Sequence, residues 1–361
     1  MNSIGSQVGG EKQDYQDAHG TPLANPIRPS AIKSKVKKRK RKGAMKSRRV
    51  VRMQMMLMGH ASLFLHVIFG SVATSALLVA GVEPVLASSG VTVFYLLVAS
   101  VLRFKRQQPA AVFCGTFAGM TSIFVFFNRA PFSLEFSILI YLCIAIVTGS
   151  LYVLIMYFEH KLPKRLFSGY GGRLGAIAFI GSVSCLMITG LLIRLISGDF
   201  QVVVLKDSAA FSEKAPLAMI LASALGSFLT RVLAKNLNST IPGLNVVLSA
   251  SVCGFVGGII FLFLPILGPI ASLYWYAGNF AGMSSTSILD SHARILLAGA
   301  ITGVFLARLH YYGSGVGGLL GFSAFLAVIV LKCFLRYAHP EGIDGFYEIH
   351  DGDGKSLALT R

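Results

Sequence analysis

Acidic residues are scarce in this chain. It has 15 Asp and Glu against 33 Lys and Arg in 361 residues, and charged residues make up only 13% of it. Ordinary soluble domains carry roughly 25%. Within the long apolar runs the carboxylates reduce to Glu135 and Asp290, each near a run's end. Proton- and sodium-coupled carriers often place acids at membrane depth, so this scarcity speaks against acid-based coupling. Enzyme chemistry has little to stand on either. There is no Ser-His-Asp set, no pair of intramembrane aspartates and no His or Cys at metal-ligand spacing. The expectation is therefore a non-enzyme with no cofactor and no metal.

Cysteine is also sparse. Cys114, Cys143, Cys185, Cys253 and Cys333 all fall inside apolar runs, none with C-x-x-C spacing. They read as small buried packing residues, and no disulfide is expected. The acidic, Gly-rich stretch Asp344–Gly354 lacks the Asp-x-Asp/Asn-x-Asp/Asn-Gly order of a calcium loop and reads as a solvated tail. His60 and His66 have no ligand constellation around them. Arg194, Arg308 and His310 lie towards run ends, where long side chains snorkel. The runs show no strict alternation of polar and apolar residues, which excludes a membrane β-barrel.

What remains is hydrophobic: 54% of the chain. Apolar runs of about 18 or more residues read as membrane helices, and here they fill most of residues 55–337. Ten spans are expected, at 55–81, 85–102, 109–127, 134–158, 174–198, 215–234, 243–267, 270–289, 293–312 and 316–337. The fold class is an all-α polytopic membrane protein. Residues 1–54 read as a disordered basic tail, because 33–52 hold twelve Lys or Arg and no acid. A basic block beside a span favours the cytoplasmic side and anionic lipid headgroups over nucleic acid. With that tail inside, the basic residues of the short loops (Arg103, Lys105, Arg106; Lys161, Lys164, Arg165, Arg173; Arg231, Lys235; Arg294) also fall inside. Both termini are thus expected in the cytoplasm of a cell with this protein in its inner membrane. Residues 199–214 form an extracytoplasmic loop, and 338–361 a cytoplasmic tail.

One string is written twice. Gly115-Thr-Phe-Ala-Gly-Met-Thr-Ser122 returns as Gly278-Asn-Phe-Ala-Gly-Met-Ser-Ser285, identical at six of eight positions. Two further landmarks follow each copy in the same order: Ile146-Val-Thr-Gly149 then Gly171-Gly-Arg-Leu-Gly-Ala176, and Ala300-Ile-Thr-Gly303 then Gly317-Gly-Leu-Leu-Gly-Phe322. These imply a five-span unit repeated over 55–198 and 215–337. Five is odd, so the second unit enters the membrane from the opposite side, an inverted repeat with paired segments near the midplane. In plan alone this resembles urea and ammonium channels and several secondary transporters, without their signature residues.

The octamers offer two readings. Their Gly-x-x-x-Gly spacing brings helix backbones together. Their polar groups, if helices break there, sit with free carbonyls and amides at membrane depth. The candidate pathway residues are Thr116, Phe117, Gly119, Thr121, Ser122, Asn279, Phe280, Gly282, Ser284 and Ser285, with the two phenylalanines as an apolar constriction. The functional expectation is a channel or facilitative transporter for a small neutral or weakly anionic solute, its pathway between spans three and eight. The alternative is a non-transporting polytopic scaffold, and a polytopic enzyme on a lipid-linked substrate ranks third. Partners are membrane lipids and the solute, with a homo-oligomer left open.

Overall fold

The computed structural model describes residues 58–102, 107–122, 134–161, 167–197, 216–238, 245–264, 268–313, 315–338, 349–350 and 356–357. The expected basic tail, the loop 199–214 and most of the C-terminal tail lie outside these residues. Apart from connecting turns, the described residues form helices and one two-residue antiparallel pairing of Ile349–His350 with Ser356–Leu357. The helices are α1 Met58–Val79, α2 Pro84–Leu102, α3 Gln107–Gly119, α4 Leu134–Lys161, α5 Arg173–Ser197, α6 Pro216–Asn238, α7 Asn245–Leu262, α8 Gly268–Gly282, α9 His292–Gly313 and α10 Leu319–Ala338. Seven of them, α1, α2, α4, α5, α6, α9 and α10, are long and apolar enough to cross a membrane.

Their outer faces are apolar. Phe94, Leu195, Leu217 and Phe334 are each more than 60% exposed, among many large apolar side chains that face outward. Water would penalise such a surface, whereas lipid would not. A multi-pass, membrane-embedded protein fits this composition and these faces.

Two expected spans are shorter as helices than the apolar runs suggest. The apolar runs 109–127 and 270–289 read as full spans, yet α3 stops at Gly119 and α8 at Gly282. Residues 283–291 are non-helical. Hydrophobicity sets how long a run stays in lipid, not where its hydrogen-bond ladder ends. Here the ladder ends because the next amides take other partners, as the site geometry shows.

Among the described residues, the other helices pack about these two short ones. α3 packs against α2, α4 and α5, and α8 against α6, α7, α9 and α10, while α5 meets α10 and α2 meets α7. α5 and α10 touch backbone to backbone: a Cβ on Gly175 would stand 2.5 Å from Gly321 Cα, and one on Gly321 2.6 Å from Gly175 Cα. The second landmark serves the same close packing. Gly149 of α4 faces the Phe64 ring of α1, and Gly303 of α9 faces Ile220 of α6.

Candidate functional site

Each octamer terminates a helix in the same way. The last turn of α3 tightens, with Met120 N donating to Phe117 O at 3.2 Å and Thr121 N to Ala118 O at 3.1 Å. At the end of α8, Met283 N donates to Phe280 O at 3.2 Å and Ser284 N to Ala281 O at 3.1 Å. Such three-residue bonds are how helix ends commonly close. The next amide then leaves the helix: Ser122 N donates to Gly315 O and Ser285 N to Gly169 O, both at 2.7 Å. Hydroxyls beyond the break reinforce it, since Ser287 N bonds Ser285 Oγ at 3.1 Å, a local partner that competes with helix.

The glycines of the octamers seat these helices on their neighbours. A Cβ on Gly119 would overlap the Ser71 carbonyl oxygen of α1 and lie 2.9 Å from Thr74 Cβ. A Cβ on Gly282 would overlap the Ser227 carbonyl oxygen of α6 and lie 2.9 Å from Thr230 Cβ. Gly115 meets Val67 and Gly278 meets Ser223 in the same manner. The packing reading of Gly-x-x-x-Gly therefore holds for both copies.

The third landmark closes over the octamer of the other half. Gly171 N donates to Ser284 Oγ at 3.1 Å, and Gly317 N to Thr121 Oγ1 at 3.0 Å. Gly171 lies against the carbonyls of Phe280 and Ala281, Gly317 against those of Phe117 and Ala118. The turns depend on glycine: Gly169 and Gly172 have φ of 83° and 80°, Gly315 and Gly318 of 78° and 87°, a region side chains disfavour.

Where α3 and α8 approach, the space is filled by four rings. Phe117 and Phe280 are 4.7 Å apart between centroids. Phe113 lies 4.5 Å from Phe117, and Tyr276 4.6 Å from Phe280. All four are essentially fully buried. The Tyr276 hydroxyl finds Ser88 Oγ at 3.2 Å, and Ser88 donates to Thr116 Oγ1 at 3.0 Å.

A cavity of about 240 Å³ ends on these rings. Phe113, Phe117 and Phe280 form its apolar end, with Met283 beside them. The rest of its wall is Ser168, Gly169, Tyr170 and the stretch Gly172–Gly175, which includes Arg173. Arg173 is held by Glu159 of α4 at 2.6 Å, through a second bond at 3.2 Å as well. The two side chains are 17% and 13% exposed, so a nearly buried ion pair of zero net charge stands at the wall.

The expected pathway residues divide accordingly. Phe117 and Phe280 line the cavity. Gly119 and Gly282 pack against α1 and α6. Thr116 is buried in the Ser88 network and also donates to Phe113 O at 2.9 Å. Thr121 and Ser284 hold the glycine loops, with Thr121 donating to Ala118 O at 2.7 Å as well. Ser122 and Ser285 act through their backbone amides. Asn279 is buried in α8. With its amide turned to satisfy both ends, its nitrogen reaches Gly226 O at 3.0 Å and Trp275 O at 3.1 Å, and its oxygen accepts from Gly254 N at 3.1 Å.

No family model, curated protein or solved structure matches this chain. The site is read from its own geometry. The sequence pattern does not tie Phe113, Tyr276, Tyr170 or the Arg173–Glu159 pair to the octamers, whereas Met283 lies inside the second one. The signal that connects them is positional: Phe113 precedes the first octamer as Tyr276 precedes the second, by two residues. Arg173 lies within the Gly-Gly landmark itself.

Proposed function

We propose that the chain is a ten-span membrane protein built as two inverted five-helix repeats. It acts as a channel or facilitative transporter for a small neutral or weakly anionic solute, with the pathway running between α3 and α8. On this reading it is not an enzyme. It lies in a cell inner membrane with both termini cytoplasmic, and its basic N-terminal stretch meets anionic headgroups. The observation that carries the proposal is a cavity lined by the paired phenylalanines of the two octamers. Two helices broken at matching residues, each covered by a loop from the other half, support the inverted repeat. The four rings then form the closed point of the pathway. A volume near 240 Å³ is below the usual range for drug-sized ligands, roughly 300–1,000 Å³, which suits a small solute.

The test is flux into proteoliposomes holding the full chain. At least one member of a panel of small neutral solutes and short monocarboxylates should enter faster than into empty vesicles. Phe117→Ala and Phe280→Ala, which thin the closed point, should raise that rate. A folded wild-type protein that passes nothing across the panel, with variants that do no better, would remove the proposal.

A scaffold is the second reading, and one observation favours it. Thr116, Thr121, Asn279 and Ser284 all have protein partners for their polar atoms, as packing residues do. A scaffold would keep its activity in an assembly assay when Phe117 and Phe280 are exchanged for Leu, and would show no flux.

A further inference from the structure

The one charged pair at the cavity wall has an uneven geometry. Arg173 lines the cavity and Glu159 does not, and both terminal guanidinium nitrogens bond the Glu159 carboxylate. Two-pronged guanidinium–carboxylate contacts are among the stronger protein hydrogen bonds and fix the fork in direction. A cationic wall residue beside aromatic rings would by itself recruit anions. Here that charge is cancelled from behind, at 2.6 Å. The corresponding turn of the second half has no such pair, because the Gly-Gly landmark continues with Leu319 in place of Arg173.

We propose that Glu159 sets the charge selectivity of the cavity by neutralising Arg173, so that the site takes a neutral solute with an apolar face and turns away small anions. This deepens the transport proposal by naming the substrate class, and it rests on reading the cavity as a solute site. Glu159 is a positioning residue in this account: it acts through Arg173 and touches no solute. The apolar end made by Phe113, Phe117 and Phe280 receives the solute's apolar face. Polar contact comes from the wall at Ser168 and Tyr170. The guanidinium remains as a donor without net charge around it.

The test is binding rather than flux, so it can fail while transport stands, and can succeed if transport fails. Thiocyanate, a small anion with a polarisable apolar body, is titrated calorimetrically into purified full-length protein in gluconate buffer. Glu159→Gln should bind it on the order of tenfold or more tighter than wild type, the effect expected from releasing a charged hydrogen-bond donor. The double variant E159Q/R173Q should return to the wild-type level. Glu159→Ala makes the same prediction should E159Q not fold. An E159Q affinity within about twofold of wild type, well under the effect of one charged hydrogen bond, would overturn the proposal. So would a gain that persists in the double variant. If both single variants fail to fold while E159Q/R173Q folds, the cavity cannot house an uncompensated Arg173, and the anion-site prediction is likewise overturned.

Discussion

Gly119 against Ser71 and Thr74 in the first five helices has its counterpart in Gly282 against Ser227 and Thr230 in the last five. The bond from Ser122 N to Gly315 O likewise matches that from Ser285 N to Gly169 O, at the same 2.7 Å. The side chains around these shared backbones differ. Phe113 stands where the other half has Tyr276, Thr116 where it has Asn279, and Arg173 where it has Leu319. Backbone contacts between helices constrain both partners at once, since a change on either side leaves a clash or an orphaned polar group. A side chain facing a cavity or a looser neighbour is free of that constraint. The matched contacts therefore mark what the architecture requires, and the mismatches mark where the halves are specialised.

The largest expected effect tests the matched packing. Gly119→Leu and Gly282→Leu drive a branched side chain into the carbonyls of Ser71 and Ser227. Overpacking a tight contact costs about 1–3 kcal/mol and more where backbone cannot yield, and here the obstacle is backbone. Neither variant should yield a monodisperse peak in size-exclusion chromatography. If one folds and the other does not, the two halves are not equivalent at their most similar contact.

Next comes a mismatch. Arg231 of α6 donates to the carbonyls of Ser284 and Leu289 beyond the end of α8. On the α3 side, the carbonyl of Gly119 is met by the Ser75 hydroxyl at 3.2 Å. Hydrogen bonds to charged groups contribute about 1.5–3 kcal/mol and neutral ones about 1 kcal/mol. Arg231→Ala should therefore lower the unfolding midpoint well beyond Ser75→Ala. Equal losses would mean that the α8 break does not lean on the guanidinium.

Smaller, and expected to be equal, are the losses from Thr121→Ala and Ser284→Ala. Each removes the acceptor of one buried glycine amide, Gly317 or Gly171. Each should cost about 1–3 kcal/mol of stability. Thr121 has the larger role on paper, because it also bonds Ser182 at 3.2 Å. A loss at Thr121 several times that at Ser284 would assign the difference to Ser182 rather than to the glycine loop. Ser182→Ala, which leaves the Thr121 hydroxyl in place for Gly317 N, separates the two.

How far these features can be read from sequence follows the same division. The apolar runs announce the helices, and the repeated octamer announces a pair of matched contacts, because identical residues at matched spacing answer to identical backbone contacts. The end of α8 at Gly282 was not legible from hydrophobicity. Met283, Ser284 and Ser285 stop the helix only because Gly169, far back in the chain, supplies the acceptor for Ser285 N. The aromatic cluster was half legible. Phe117 and Phe280 repeat inside the octamer, while Phe113 and Tyr276 differ in identity and fall outside it. Arg173 was visible within a named landmark, but nothing in the string links it to Glu159, because the pairing depends on how α4 and α5 turn.

The smallest expected effect concerns a contact that joins the two halves without a described counterpart. Glu83, between α1 and α2, accepts from Leu86 N at 2.8 Å as the cap of α2 and from Ser272 of α8 at 3.0 Å. Burial raises its carboxyl above the ordinary 4.5, with the bonds from Leu86, Val85 and Ser272 opposing that rise. The folded protein thus holds this proton more tightly than the unfolded chain. Its contribution to stability is greatest below pH 4.5 and is lost as pH rises from 4.5 through the higher folded value. Glu83→Gln keeps an acceptor for Leu86 N and removes the titration. Thermal midpoints of both proteins, measured from about pH 4 to about pH 8, should show wild type losing ground to the variant as pH rises. A gap that widens in favour of wild type instead would mean the ionised carboxylate is what ties α2 to α8, and that the hydrogen bonds at Leu86 and Ser272 outweigh its burial.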